Sequence, residues 1–253
     1  MNSSQLEINR KNSVYDLTTS NDHLFIPDFR NNKVILYGLP GGNIHSTFSV
    51  HMPHGIAVDQ TRIIYICTHR QNSIVVIKDD IARCNESALF DRPVSIAVQD
   101  DYILIANWGA GDNGNLIFSY DCLNSFHQFT GKWIKSKPHA VRINDRSEIM
   151  VVYRQSPGIV VYDINGKITK QRVFSDDFDP LSIVEYKSGY LVPNSTDGHI
   201  HYFDSSLNDL TIFYGGGHHA TNLAIWNNLL LISEEKANRI LAVNLEDIDN
   251  ILS

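Results

Sequence analysis

Pro53-His54-Gly55-Ile56-Ala57-Val58-Asp59, then Ile64-Tyr65-Ile66, then Asn72-Ser73-Ile74-Val75-Val76, is the stretch that decides the fold. It reads as three short β-strands rich in β-branched residues, punctuated by turn-forming Asp and Asn. The same line recurs along the chain. The middle stretch returns as Leu24-Phe25-Ile26, Ile103-Leu104-Ile105, Ile149-Met150-Val151, Tyr190-Leu191-Val192 and Leu230-Leu231-Ile232. The six copies end at 26, 66, 105, 151, 192 and 232, in steps of 40, 39, 46, 41 and 40. The third stretch follows each as Lys33-Val34-Ile35, Ser73-Ile74-Val75, Asn115-Leu116-Ile117, Gly158-Ile159-Val160, His199-Ile200-His201 and Arg239-Ile240-Leu241.

A repeat of about forty residues with no helical period is the mark of a stacked-blade architecture. Ahead of each inner stretch lies a fourth, outer one: Ser46-Thr47-Phe48-Ser49-Val50, Ala88-Leu89-Phe90, Phe126-His127-Gln128-Phe129, Gln171-Arg172-Val173-Phe174 and Leu210-Thr211-Ile212-Phe213. Four strands per copy and six copies predict an all-β, six-bladed propeller of four-stranded antiparallel blades, one domain over residues 1–253. The last copy ends in a weak tail, Asp249-Asn250-Ile251-Leu252, while Gln5-Leu6-Glu7-Ile8 is spare at the other end. That spare stretch is expected to complete the sixth blade and close the ring, leaving no open sheet edge.

Composition narrows the partners. With 43% apolar and 19% charged residues and a net charge of −7, the chain reads as an ordinary globular protein without a basic face. That disfavours nucleic acid and an anionic membrane surface as partners. No apolar run reaches membrane-spanning length, and Met1 to Lys11 is too polar for a signal peptide. Cys67, Cys84 and Cys122, sparse and without paired spacing, read as reduced thiols of a cytoplasmic protein. Ring closure leaves no obligatory interface, so a monomer is expected.

The blades resemble NHL repeats, through Pro53-His54-Gly55-Ile56-Ala57-Val58-Asp59 and the two stretches after it. Related propellers include metal-dependent lyases, lactonases and interaction modules. In such a ring, the starts of the inner strands and the loops after the second strands meet at one mouth of the channel. This mouth is the default site. His54 and His139 occupy the same repeat position in blades two and four, and His218-His219 lies just before it in blade six. Three imidazoles with an open fourth position make a catalytic zinc arrangement, and such a metal activates water or polarises a substrate oxygen. The pattern is similar to that of the peptide α-amidating lyases, with His218 or His219 reaching past Ala220 or Thr221. The expected activity is therefore a zinc-dependent lyase or hydrolase acting on a small molecule. Tyr153, Glu234 or His69 would carry protons and Arg30 or Arg154 would bind an anionic group, while Trp108, Asn107 and Asn194 would contact substrate. The alternative is a non-catalytic NHL-type module gripping a peptide, glycan or protein. His199 and His201 form a further HxH, read as one exposed and one packed between blades.

Overall fold

The computed structural model describes residues 14–110, 114–121, 123–129, 137–214, 219–234 and 236–252. It is an all-β propeller of six antiparallel blades, the strands of each paired in chain order. The inner strands Thr18–Ser20, Pro53–Val58, Pro93–Gln99, Pro138–Ile143, Val184–Tyr186 and Ala220–Trp226 lie nearest the centre. Second and third strands are almost wholly buried, whereas outer strands such as Asn43–Ser49 and Ile168–Val173 are largely exposed.

Each repeat spends its apolar residues on the gap beside the next blade. Six separate clusters fill the six gaps: for example Phe25, Val34 and Ile66 between blades one and two, and Val141, Val151 and Leu104 between three and four. The others lie between two and three, four and five, five and six, and six and one. The last of these closes the ring, aided by Thr19 Oγ1 donating to the Ile225 carbonyl at 3.0 Å and Trp226 Nε1 donating to that of Asn21 at 2.8 Å. A single blade could not bury both of its faces, so this gap filling makes the repeats fold as one ring.

Turn chemistry doubles as stitching. Asn32 and Asn72 sit at left-handed φ just before their third strands, a conformation that asparagine tolerates. Their side-chain oxygens accept the N–H of Met52 and Arg92, at 2.9 and 2.8 Å, immediately ahead of the next blade. One residue thus turns its own blade and fixes the entry to the next.

Two boundaries differ from expectation. The outer strand of blade two is Ile81–Glu86, not Ala88-Leu89-Phe90. Asp79 and Asp80, both at positive φ, make a tight hairpin there, and the strand that follows is too polar and exposed to show an apolar signal. The tail at 249–252 belongs to a helix, Leu245–Leu252, held to blade five by Tyr186 and Lys187 on Asp249. Blade six shows three strands among the described residues, and the closing strand expected at Gln5–Ile8 lies outside them. No described helix is long and apolar enough to cross a membrane.

Candidate functional site

Register defines the mouth of the channel. Val14, Pro53, Pro93, Pro138, Pro180 and Ala220 pair with Asp28, Thr68, Asn107, Tyr153, Asn194 and Glu234, the last residues of the second strands or their equivalents. The residues that follow the first set form a ring: Tyr15, His54, Val94, His139, Leu181 and Thr221. In blades two, three, four and six the pairing shifts at this residue, a bulge that bends the strand and re-aims a side chain. Blade one therefore contributes Tyr15, and blade six Thr221.

The two histidines are held identically. His54 Nδ1 lies 2.7 Å from the Val94 carbonyl and His139 Nδ1 lies 2.9 Å from the Leu181 carbonyl, each the ring residue of the next blade. A carbonyl only accepts, so Nδ1 carries the hydrogen in both and the neutral ring keeps its lone pair on Nε2. Burial, reinforced by the His139 and His69 imidazoles, holds His54 at about 3. Burial and then the Arg154 guanidinium hold His139 at about 4. Both rings are neutral at physiological pH.

The residues one step beyond the second strands form an outer rim. Phe29 and His69 stand 6.3 and 5.4 Å from the His54 ring, centroid to centroid, and Tyr15 stacks on it at 4.7 Å. Trp108 meets His139 edge to face at 5.8 Å. Arg154 grips Asp179 through Nε at 2.7 Å and through a second nitrogen, and Ser195 Oγ donates to the same carboxylate at 2.6 Å. Burial works to raise the Asp179 carboxyl, but these bonds prevail and hold it below the usual range. His69 is half-buried, its Nδ1 without a hydrogen bond. Burial, then the Arg92 and Arg70 guanidiniums, lower its affinity for a proton. A cavity of about 230 Å³ opens here, lined by Tyr15, His139, Arg154, Leu181, Ser195 and Thr221 among others. Larger clefts lie on the outer face near Ile81 and Leu123, away from any such cluster.

Of the residues singled out in the sequence, His54, His139, His69, Trp108 and Arg154 come together at this mouth. Tyr153, Glu234, Asn107 and Asn194, at the ends of the second strands or just after them, are engaged elsewhere. Tyr153 is buried in the gap between blades three and four, its hydroxyl 2.9 Å from that of Tyr162. Burial and then Tyr162 push its phenol well up. Glu234 is buried in an ion pair with Arg239. Asn107 spends its amide on the Leu89 carbonyl and Asn115, at 2.7 and 2.8 Å. Asn194 accepts from the N–H of Asp179 and Thr196, at 2.8 and 3.1 Å. Arg30 is exposed on the turn of blade one, with no ion pair among the described residues. His219 turns its Nε2 to Lys236, and His218 lies outside the described residues. His201 is buried against Phe178, with Asp209 and Asp197 at 3.1 and 3.0 Å, and His199 is more exposed.

Sequence reasoning missed the floor. Arg142 of blade four reaches across to Asp16 of the opposite blade, Nη2 to Oδ1 at 2.7 Å, and also lies 3.4 Å from Ser95 Oγ. This ion pair bridges the channel between opposite blades. The available signal was a charge placed in each of two inner-strand runs, Tyr15-Asp16-Leu17 and Val141-Arg142-Ile143.

A divalent metal needs about three protein donors. His54 and His139 are built as such donors: each is neutral, with Nδ1–H given to a carbonyl and Nε2 left available. The third ring position is Thr221, whose hydroxyl lies 3.3 Å from the Ser233 carbonyl. Among the described residues no three His, Cys, Asp or Glu side chains converge on a common point.

No protein-family model matches the chain, and no curated protein matches it in sequence. Solved structures do share the fold. A catalytically inactive His-to-Ala variant of virginiamycin B lyase from Staphylococcus aureus, with quinupristin, is 16% identical, with a TM-score of 0.74 over 94% of this chain and 82% of that one. A gluconolactonase from Xanthomonas campestris is 15% identical, with a TM-score of 0.77 over 95% and 88%. A chain of a nidogen–laminin complex is 15% identical, with a TM-score of 0.72 over 84% of each. At these identities the likeness is one of fold.

Proposed function

We propose that the chain is an enzyme, a lyase or hydrolase that acts on a small molecule at the His54–His139 mouth. The observation that carries this reading is the pair of neutral imidazoles, each pinned through Nδ1 to the next blade, at a mouth where His139 lines a cavity. A binding rim has no need of two histidines locked into one tautomer. The fold neighbours whose names describe a lyase and a gluconolactonase agree with this class.

His54 and His139 hold on to protons too weakly to abstract one efficiently near neutral pH, where a base works best with a matched pKa. They suit ligation of a divalent metal, zinc by donor type, as two of its donors. When bound, such an ion polarises a substrate oxygen or activates water. Proton transfer then falls to His69, next to His54 and with a buried Nδ1 that has no hydrogen bond. Arg154, held flat by Asp179, orients a substrate oxygen, and the Asp16–Arg142 floor limits substrate depth.

The test uses untagged protein. Metal content is measured for the native chain and for His54→Ala and His139→Ala, and a streptogramin B and gluconolactone are offered as ring-ester probes. Ring opening with the mass of one added water marks a hydrolase, and opening at constant mass marks a lyase. Metal at background sinks the metal assignment. Intact probes across a wider panel of ring esters sink the enzyme reading and leave a binding module, the alternative that the nidogen–laminin likeness and the Tyr15–Phe29–Trp108 rim favour.

A further inference from the structure

The cations around His139 are unevenly matched. Arg154 is neutralised by Asp179 and Arg142 by Asp16. Lys137 is not: it is 7% exposed, and among the described residues no carboxylate lies in reach of its ammonium. Instead Nζ stands 4.9 Å over the Trp108 ring, the same ring that meets His139. A cation–π contact offsets only part of the cost of burying an ammonium.

The main chain that carries both groups is tied down. The Trp108 N–H donates to the Arg92 carbonyl at 2.9 Å, and the following Gly109 and Ala110 are tied to Asp91. The Lys137 carbonyl accepts the Arg154 N–H at 3.1 Å, which sets lysine and arginine side by side across one ladder. An anion bound there meets a main chain already in place.

We propose that Lys137, with Trp108 as its platform, binds a carboxylate on the substrate. The proposal rests on the mouth being the working site and deepens that reading by naming the substrate class.

Benzoate and its neutral counterpart benzamide serve as probes, titrated against the isotope-labelled chain. The Trp108 indole N–H resonance, assigned by its loss in Trp108→Phe, is the readout. Benzoate is expected to shift it saturably and to bind about tenfold or more tighter than benzamide, as a charge-assisted hydrogen bond requires. Lys137→Met should abolish that preference, and Lys137→Arg should keep benzoate binding within about threefold because the charge remains. The amide spectrum of each variant reports whether its blades are intact. Equal binding of benzoate and benzamide, or unchanged benzoate binding in a folded Lys137→Met, overturns the proposal. No turnover enters this measurement. Intact ring esters with a positive benzoate titration therefore count against the enzyme reading alone, and turnover of neutral esters without benzoate preference counts against the carboxylate alone.

Discussion

Replacing Arg142 by methionine removes one charge of the pair that spans the channel while keeping most of the aliphatic stem. The Asp16 side chain is 4% exposed and that of Arg142 20%, so the surviving carboxylate stays in a buried setting without its countercharge. Breaking a buried pair from one side costs about 3–5 kcal/mol. Asp16 keeps two main-chain donors, Leu17 N–H at 2.9 Å and Ile56 N–H at 3.2 Å, which places the loss at the low end, about 3 kcal/mol. For a domain of this size each kcal/mol lowers the melting temperature by about 2–4 °C, so the variant should melt about 6–12 °C lower. Urea denaturation followed by circular dichroism gives the free energy, and the slope should not change because the exposed surface is the same. The double variant Asp16→Asn with Arg142→Met leaves no lone charge and should recover part of the loss. A loss below about 1 kcal/mol, the value of an exposed pair, or strict additivity in the double variant, would refute the buried trans-channel bridge.

Two further outcomes follow from the same geometry. His54 and His139 are held near 3 and 4 when folded, against about 6.5 in an unfolded chain. The unfolded chain therefore takes up protons that the folded one refuses. Stability of the metal-free protein is complete above about pH 6.5 and is lost as pH falls towards 4, at up to about 1.4 kcal/mol per pH unit for each histidine. His139 is partly exposed and supplies the smaller share. Urea midpoints at pH 7 and pH 5 should converge in the His54→Asn variant relative to the native chain, and an unchanged gap would contradict the assignment. At Gly55 an added Cβ would stand 2.5 Å from Ser95 Cα and 2.6 Å from the Val94 oxygen, main-chain atoms of the next blade. Gly55→Ala should cost about 1–3 kcal/mol by overpacking, whereas Gly41→Ala, facing only the Asn43 side-chain amide at 3.4 Å, should be nearly neutral. Equal denaturation midpoints for the two variants would show that blades two and three do not approach this closely.

The ring was legible because each blade must bury two faces, and that demand repeats Leu24-Phe25-Ile26 and its counterparts at nearly constant spacing. Ile81–Glu86 was not, since an outer strand facing water carries no apolar alternation. The site was half legible for a related reason. Repeat alignment fixes which end of the channel a residue occupies, but not the side to which its side chain turns. Tyr153 and Arg154 are adjacent in sequence, yet one is buried between blades and the other lines the cavity. Asn107 and Trp108 divide in the same way, into turn brace and rim. Asp16 and Arg142 lie 126 residues apart, and only the closed ring brings opposite blades within bonding distance.

The bulge at the ring position links fold to chemistry. By inserting an extra residue against the second strand, it swings His54 and His139 out of the ladder and leaves their rings free to reach the next blade. Main-chain groups displaced by such an insertion must find other partners. Asp16 of blade one accepts the Ile56 N–H of blade two, and Ser95 of blade three accepts the Val141 N–H of blade four, at 3.2 Å in both cases. The donating residues, Ile56 and Val141, stand two places after His54 and His139, and each acceptor stands one place after the ring residue of its own blade. Polar residues on odd blades thus support the bulges that present histidines on even ones. Asp16 does this while also anchoring Arg142, so the groups that hold the imidazoles in place are those that close the channel beneath them. A substitution at Asp16 should accordingly loosen His54 as well as weaken the floor, which ties the stability of the ring to the geometry of its mouth.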